Sequence, residues 1–421
     1  MDTIIAESTQ QMLIAGKCVD LYYPDPETAK KQCFRTTQNS KYLQAFSNLT
    51  AGTSTFTVPP NNGVQDVMVI LRLPDLTGVS AGLGVNRGWG YAAIKQISYR
   101  IGGSSQYFLS GDQVLLNALR QCPNAQARDD LFALGGAELT GAALNSSNNY
   151  AYVWLSLPWT KPTSAGKPVP LPSDLLTQQI QITVELQPPS VYFSLSAGGG
   201  GTIPTGLQSA SFQVQQVMLH NQGDALASRV DMTTHSLSFP CEFSQQELVI
   251  PLANSAAQQT VSLTGFRSGE VKELQIWLTR DADSTGVGGI KQMLRFYQPT
   301  DLQVTYAGDV YARYDAGSSV LWNLVNARQT PKFANSLLVT NGAGGYNAST
   351  PYDSYWVDLP FAQSYDPDTA HSMYVSGKEI TNGIVQLQLR TPSAQADWKL
   401  HVTYVYNTVI VFSQGTCDYA F

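Results

Sequence analysis

The sequence predicts an all-β protein in which one antiparallel unit of about eight strands occurs twice. Three observations carry this expectation. The chain repeats itself: residues 64–71 read onto 271–278 and residues 96–99 onto 303–306 at a shift of 207, residues 114–117 onto 320–323 at 206, and residues 154–159 onto 356–361 at 202. Four matches in the same order, drifting by amounts that loops absorb, make a duplication. Only 13% of residues are Asp, Glu, Lys or Arg, about half the ordinary share; Gly, Pro, Ser, Thr, Asn, Gln and Tyr, the residues of turns and strands, take their place. The 421 residues suit two to three domains of roughly 150–200 residues, and the repeat selects two.

Residues 1–41 lie outside the repeat and read as an N-terminal arm, with a short helical candidate at 10–14 and a Pro-rich turn at 23–26. The first unit is expected over 42–226 and the second over 227–421. In the first, 53–58 alternates and ends at Pro59-Pro60, and 64–73 sets Val67, Val69, Leu71 and Leu73 on one face. A strand over 94–101 stops at Gly102-Gly103. Ser110 and Asp112 can then cap a helix whose apolar stripe is Val114, Leu115, Ala118 and Leu119. Strands follow at 152–157, 180–186 and 212–219, the middle one alternating Ile180, Ile182, Val184 and Leu186 with polar residues. The second unit repeats this series with Val261 and Leu263, 271–278, Leu302 to Tyr306, a helix capped by Ser318-Ser319, then 356–361, 385–389 and 400–412. A polar linker over about 221–234 joins the two. Eight antiparallel strands and one short internal helix per unit fit a jelly roll, so the fold expected is two consecutive jelly rolls.

Composition limits function. A net charge of −6 opposes direct nucleic-acid binding, which needs a concentrated basic face; the most basic short stretch, Lys30, Lys31 and Arg35, reads as a solvated loop. Low charge suits a chain packed against copies of itself. Cys18, Cys33, Cys122, Cys241 and Cys417 are odd in number and widely spaced, as free thiols of a reducing compartment are, and build no zinc motif. The first residues are acidic and do not read as a secretory signal, and no run approaches the ~20 apolar residues of a membrane span. The sequons at Asn48, Asn145 and Asn347 are therefore expected to be unused.

Each candidate for chemistry has a plainer structural reading. Gly198 to Gly201 lacks the Lys-Ser/Thr and helix of a phosphate loop. The stretch from Asp281 begins like a calcium loop but carries Gln292 where a bidentate glutamate belongs. Asp366, Asp368 and His371 match no metal signature, and His220, His235, His371 and His401 include no pair spaced for a jelly-roll metal enzyme. The 21 tyrosines fit strand packing and interfaces as well as a carbohydrate-binding face. No catalytic, cofactor-binding or metal-ligating residue is assigned.

The strand, Gly-Gly and helix element beginning at Ile97-Ser98-Tyr99-Arg100-Ile101-Gly102-Gly103 resembles that of double jelly-roll major capsid proteins from large eukaryotic DNA viruses and their virophages. So does Leu155-Ser156-Leu157-Pro158-Trp159, followed by Pro168-Val169-Pro170-Leu171-Pro172 and the alternating strand over 180–186. The resemblance covers the first unit; the second follows through its likeness to the first. It implies a structural virion protein of an icosahedral dsDNA virus: a homotrimer whose six rolls form a pseudo-hexameric capsomer. Such capsomers tile facets beside minor and penton capsid proteins, over an internal membrane in some members, after assembly in the host cytoplasm. Two other readings of the chain are a glycan-acting hydrolase with carboxylates at the junction, where Glu242 and Glu247 stand, and a lectin-like attachment protein.

Overall fold

The computed structural model describes residues 34–61, 63–75, 83–85, 87–120, 122, 125–137, 139–140, 149–160, 171–195, 202–221, 237–253, 257–281, 296–297, 299, 301–314, 357–361, 378–380, 385–391, 397–413 and 415–420. The expected arm before Phe34, the second helix at 318–325, the linker after Asn221, the Gly198–Gly201 run, the calcium-like loop beyond Asp281 and the Asp366–His371 cluster lie outside them, as do Asn145 and Asn347.

The first roll comprises β1 (Phe34–Ala45), β2 (Gly52–Val58), β3 (Gly63–Arg72), β4 (Leu83–Val85), α1 (Trp89–Ala92), β5 (Ile94–Arg100), β6 (Tyr107–Ser110), α2 (Gly111–Arg120), α3 (Ala125–Leu134), β7 (Leu139–Thr140), β8 (Tyr150–Trp154), β9 (Ile180–Leu186), α4 (Pro189–Tyr192), β10 (Phe193–Leu195) and β11 (Ser209–Asn221). The second comprises β12 (Leu237–Ser244), β13 (Leu248–Pro251), β14 (Gln259–Ser262), β15 (Gly269–Arg280), β16 (Asp301–Tyr306), β17 (Asp309–Tyr314), β18 (Val357–Pro360), β19 (Lys378–Ile380), β20 (Val385–Arg390), β21 (Trp398–Ser413) and β22 (Thr416–Ala420).

Both units have the same strand order. In the first, sheet β1-β11-β3-β8 faces sheet β2-β9-β5-β6; in the second, β12-β21-β15-β18 faces β14-β20-β16-β17. All these pairings are antiparallel. The chain is therefore two jelly rolls in series. Alternation builds each core: Val67, Val69 and Leu71 point inward from β3, as do Leu274, Ile276 and Leu278 from β15, and all six are fully buried. Phe56 of β2 and Phe212 of β11 stack across the two sheets with ring centroids 4.4 Å apart.

Several details differ from expectation. The first strand starts at Phe34, ahead of the residue where the repeat begins, because its sequence is too polar to show alternation; it is the edge strand of its sheet, paired with β11 alone. The first roll has α1, α3 and α4 besides the expected helix, and a small sheet β10-β4-β7. The expected helix begins in a capping box. The Gln113 N–H donates to Ser110 Oγ (3.2 Å) and the Ser110 N–H to Gln113 Oε1 (3.1 Å), so Ser110 alone is the cap. Gly102 and Gly103 stop β5 with φ of 51° and 87°, and a Cβ on Gly102 would stand 2.6 Å from Leu176 Cδ2.

The duplication survives with one change of register. Met68 pairs with Trp154, whereas Gln275, its counterpart at +207, pairs with Asp358; Trp154 thus corresponds to Asp358, a shift of 204 where the sequence match gave 202. A slip of two residues keeps every side chain on its own face, so the sequence pattern alone does not register it.

Candidate functional site: the seam between the two jelly rolls

Polar side chains cluster where the rolls meet. Helix α2 rests on the outer face of β12-β21-β15-β18, the face turned away from the second roll's core. Gln113 Nε2 donates to the Gln245 carbonyl and to Thr403 Oγ1, both at 2.7 Å, and Ser244 Oγ donates to Asn117 Oδ1 at 3.1 Å. Gln113 has both amide hydrogens directed at the other roll, while its carbonyl closes the capping box. One residue thus starts the helix and fastens it.

Beside this lies an aromatic cluster. The Tyr107 hydroxyl donates to Asp418 Oδ1 at 2.7 Å, and its ring meets Phe243 and Tyr419 edge-on at 5.2 and 5.0 Å. The Arg267 guanidinium stands 5.5 Å from the same ring. Burial, reinforced by the Asp418 carboxylate, pushes the Tyr107 hydroxyl well above its ordinary range, so it stays a donor at all physiological pH. At the edge of the seam Gly415, at φ 81°, turns β21 into β22 and presents its carbonyl to the Thr177 N–H (2.8 Å) and hydroxyl (3.0 Å).

The seam also contains titratable groups. His401 stacks on Trp277 with centroids 5.2 Å apart; its Nε2 is 2.8 Å from Thr279 Oγ1 and its Nδ1 3.2 Å from Glu247 Oε2. Asp112, in the first turn of α2, faces this pair. Burial, then the negative Glu247, raise its carboxyl from 3.8 to about 6, with His401 acting the other way.

Of the residues singled out from sequence, Glu242 pairs with Lys272 and Glu247 with His401. Both carboxylates of the hydrolase reading thus have a partner within the second roll; the Glu247 side chain is largely buried and that of Glu242 is 28% exposed. His401 is the structural histidine expected; His220 lies in β11, and His235 and His371 are outside the described residues. Cys122, Cys241 and Cys417 form no disulfide, and burial holds the Cys417 thiol well above its usual value. Gln113, Thr403 and Tyr107 were not anticipated. The Ser-x-x-Gln spacing at 110–113 marks the cap, but nothing local marks the second roll as its other partner. Among the described residues no group of three or more His, Cys, Asp or Glu could hold a metal.

No protein-family model matches the sequence, and no curated protein matches it. Solved structures do match. The crystal structure of PBCV-1 VP54, fitted into a reconstruction of the virophage Sputnik, aligns with 92% of this chain and 98% of its own at a TM-score of 0.62 and 14% identity. A quasi-atomic model of the PBCV-1 virus capsid aligns over the same shares at 0.60 and 15%. The Faustovirus major capsid protein aligns with 90% of this chain and 91% of its own at 0.51 and 10%.

The chain has the double jelly-roll fold of viral major capsid proteins. In this double jelly roll the seam is made of direct side-chain contacts. Polar groups cross it in hydrogen-bonded pairs, and its aromatic rings touch, so it orders one roll against the other.

Proposed function

We propose that the chain is the major capsid protein of an icosahedral dsDNA virus, acting through shape and self-association. The observation that carries this reading is likeness over nearly the whole chain: 92% of it aligns with PBCV-1 VP54 and with the PBCV-1 capsid model, each over 98% of its own length. A hydrolase at the junction would need free carboxylates, and there Glu242 is paired with Lys272 and the largely buried Glu247 with His401. The reading assigns the chain no catalysis.

Under this reading three chains form a pseudo-hexameric capsomer, each with an N-terminal arm ahead of β1, a first roll from Phe34 to about residue 226 and a second roll from about 227 to 421. Capsomers tile facets of the virion, meet minor and penton capsid proteins, and in some lineages cover a membrane. They are assembled in the host cytoplasm. Low charge suits the lateral burial this requires. Sedimentation velocity of the purified chain tests it: a trimer is expected, and a stable, well-folded monomer at high concentration would overturn it.

A further inference from the structure

The register of the first roll brings together two polar side chains that have no partner. Strand β3 pairs with β8 so that Met68 stands opposite Trp154, and one step on the Leu155 N–H donates to the Val67 carbonyl at 2.9 Å. The same register carried one step further sets Ser156 beside Asp66, on the face of Trp154 and Met68. The half-buried Asp66 carboxylate makes no hydrogen bond or ion pair with any described residue, and burial alone pushes its carboxyl above the ordinary value. Ser156 is 5% exposed, and its hydroxyl has no hydrogen-bond partner among the described residues. The duplication supplies a contrast. At +207 from Asp66 stands Glu273, opposite Pro360, and Gln275 Nε2 donates to Glu273 Oε1 at 3.2 Å. In the first roll Met68 takes the place of Gln275 and offers no donor.

Asp66 and Ser156 both line a cavity of about 350 Å3 between β3, the end of β8, α2 and α3, toward the opposite end of α2 from Gln113. This volume lies in the range of small-molecule sites. Half-buried Trp154, Leu131 and Leu134 give the cavity apolar walls. Asp130, four residues before Leu134 on α3, adds a second carboxylate, which accepts from Gln126 Nε2 at 2.8 Å. No Lys, Arg or His is among the described residues that line it. An anion set among apolar walls without a partner is costly. A compact cation on a short aliphatic stem answers each feature: its N–H groups reach the Asp66 carboxylate and Ser156 Oγ, and its stem lies along the leucines and the indole face.

We propose that this cavity binds a primary alkylammonium ion, as a free amine or as the end of a lysine side chain, with Asp66 as its counter-ion, Ser156 Oγ as a second acceptor and Trp154 against the stem. The site goes beyond the capsid reading and does not depend on the number of chains in the assembly.

Isothermal titration calorimetry of the full chain at neutral pH tests it with n-butylammonium chloride as the probe. Wild type is expected to bind one ion per chain with a Kd on the order of 1 mM. It should not bind n-butanol, which has the stem without the charge. Asp66→Asn should weaken binding by about tenfold or more, and Ser156→Ala by less. Asp66→Asn should melt no lower than wild type, since it removes a partly desolvated charge. Asp75→Asn removes an exposed carboxylate outside the cavity and should leave binding unchanged. Nα-acetyl-lysine amide separates the two sources: binding as tight as that of n-butylammonium assigns the cavity to a side chain of another chain, and exclusion assigns it to a free amine. No saturable binding by wild type, equal binding of n-butanol, or undiminished binding by Asp66→Asn would each overturn the site.

Discussion

The outer face of β12-β21-β15-β18 is buried, and the same face of β1-β11-β3-β8 is half open. The strand order is the same, so the difference comes from what sits on the sheet. In the second roll Thr403 lies under helix α2 of the first roll and Trp277 is enclosed by Phe296 and His401, and both are fully buried; in the first roll Gln213 and Ile70 occupy their places half-buried. Side chains have followed the environment. The buried face contains a tryptophan stacked on a histidine and two pairs that hydrogen-bond across the seam, while the open face keeps glutamines, an aspartate and isolated aliphatic residues. Duplication thus supplied two similar frames, and the seam made them unequal.

The largest expected effect separates the faces directly. Trp277→Ala should cost about 3–5 kcal/mol in chemical denaturation, since it empties a fully enclosed site. Ile70→Ala, its counterpart, should cost about 1 kcal/mol in a dilute, unassociated chain, and more at concentrations where chains associate. Equal costs in the dilute chain would erase the distinction between covered and open faces.

Gln113→Leu should come next. It removes the donor that joins α2 to the Gln245 carbonyl and Thr403 hydroxyl, so about 1–3 kcal/mol should be lost, seen as a lower midpoint in urea. A loss of helical signal without a change in the seam, followed by near-ultraviolet circular dichroism from Tyr107 and Tyr419, would restrict Gln113 to its capping role.

Asp112 makes the seam sensitive to pH through a cluster the first roll's face lacks, because Ser211 pairs with Ile70 where His401 pairs with Trp277. Its carboxyl titrates near 6 in the folded chain against 3.8 ordinarily. Between these values the folded state binds a proton that the unfolded state has released. The stabilisation from protonated Asp112 is therefore complete below about pH 4 and lost as pH rises through 6. Asp112→Asn should raise stability above pH 6.5 by on the order of 1–2 kcal/mol, less its lost benefit at the start of α2, and change nothing near pH 4. The charged groups facing Asp112 are Glu247 and His401; Gln113, Thr279 and Thr403 beside them do not titrate. Melting temperatures of both proteins across this range check the sign, and a difference that grows toward acid would contradict it.

The smallest effect concerns two ion pairs, one in each roll. Strands β5 and β9 carry Lys95 and Glu185, 2.6 Å apart, and β16 and β20 carry Asp301 and Arg390, 3.0 Å apart. Both pairs are exposed enough for solvent to screen, so Lys95→Ala and Arg390→Ala should each change stability by less than about 1 kcal/mol.

The sequence made the frame legible wherever a strand has one buried face. The segments 180–186 and 271–278 and the Gly102-Gly103 stop stand where alternation and turn chemistry put them. Strands that lack this pattern were not legible: polar β1, β12 with Pro240 on a sheet edge, and β22, folded back on β21. The seam was less legible still. Ser110 and Gln113 read as a local cap, but the partners of Gln113 are 132 and 290 residues away. A polar residue at a strand's outer position, such as Thr403, looks the same whether water or another roll faces it.

A density map of the purified, associated protein at side-chain detail tests the account most directly. Three chains are expected in a ring, each with its own α2 seated on the outer face of β12-β21-β15-β18 through Gln113 and Thr403. Separate single chains, or a map in which α2 leaves that face, would contradict it.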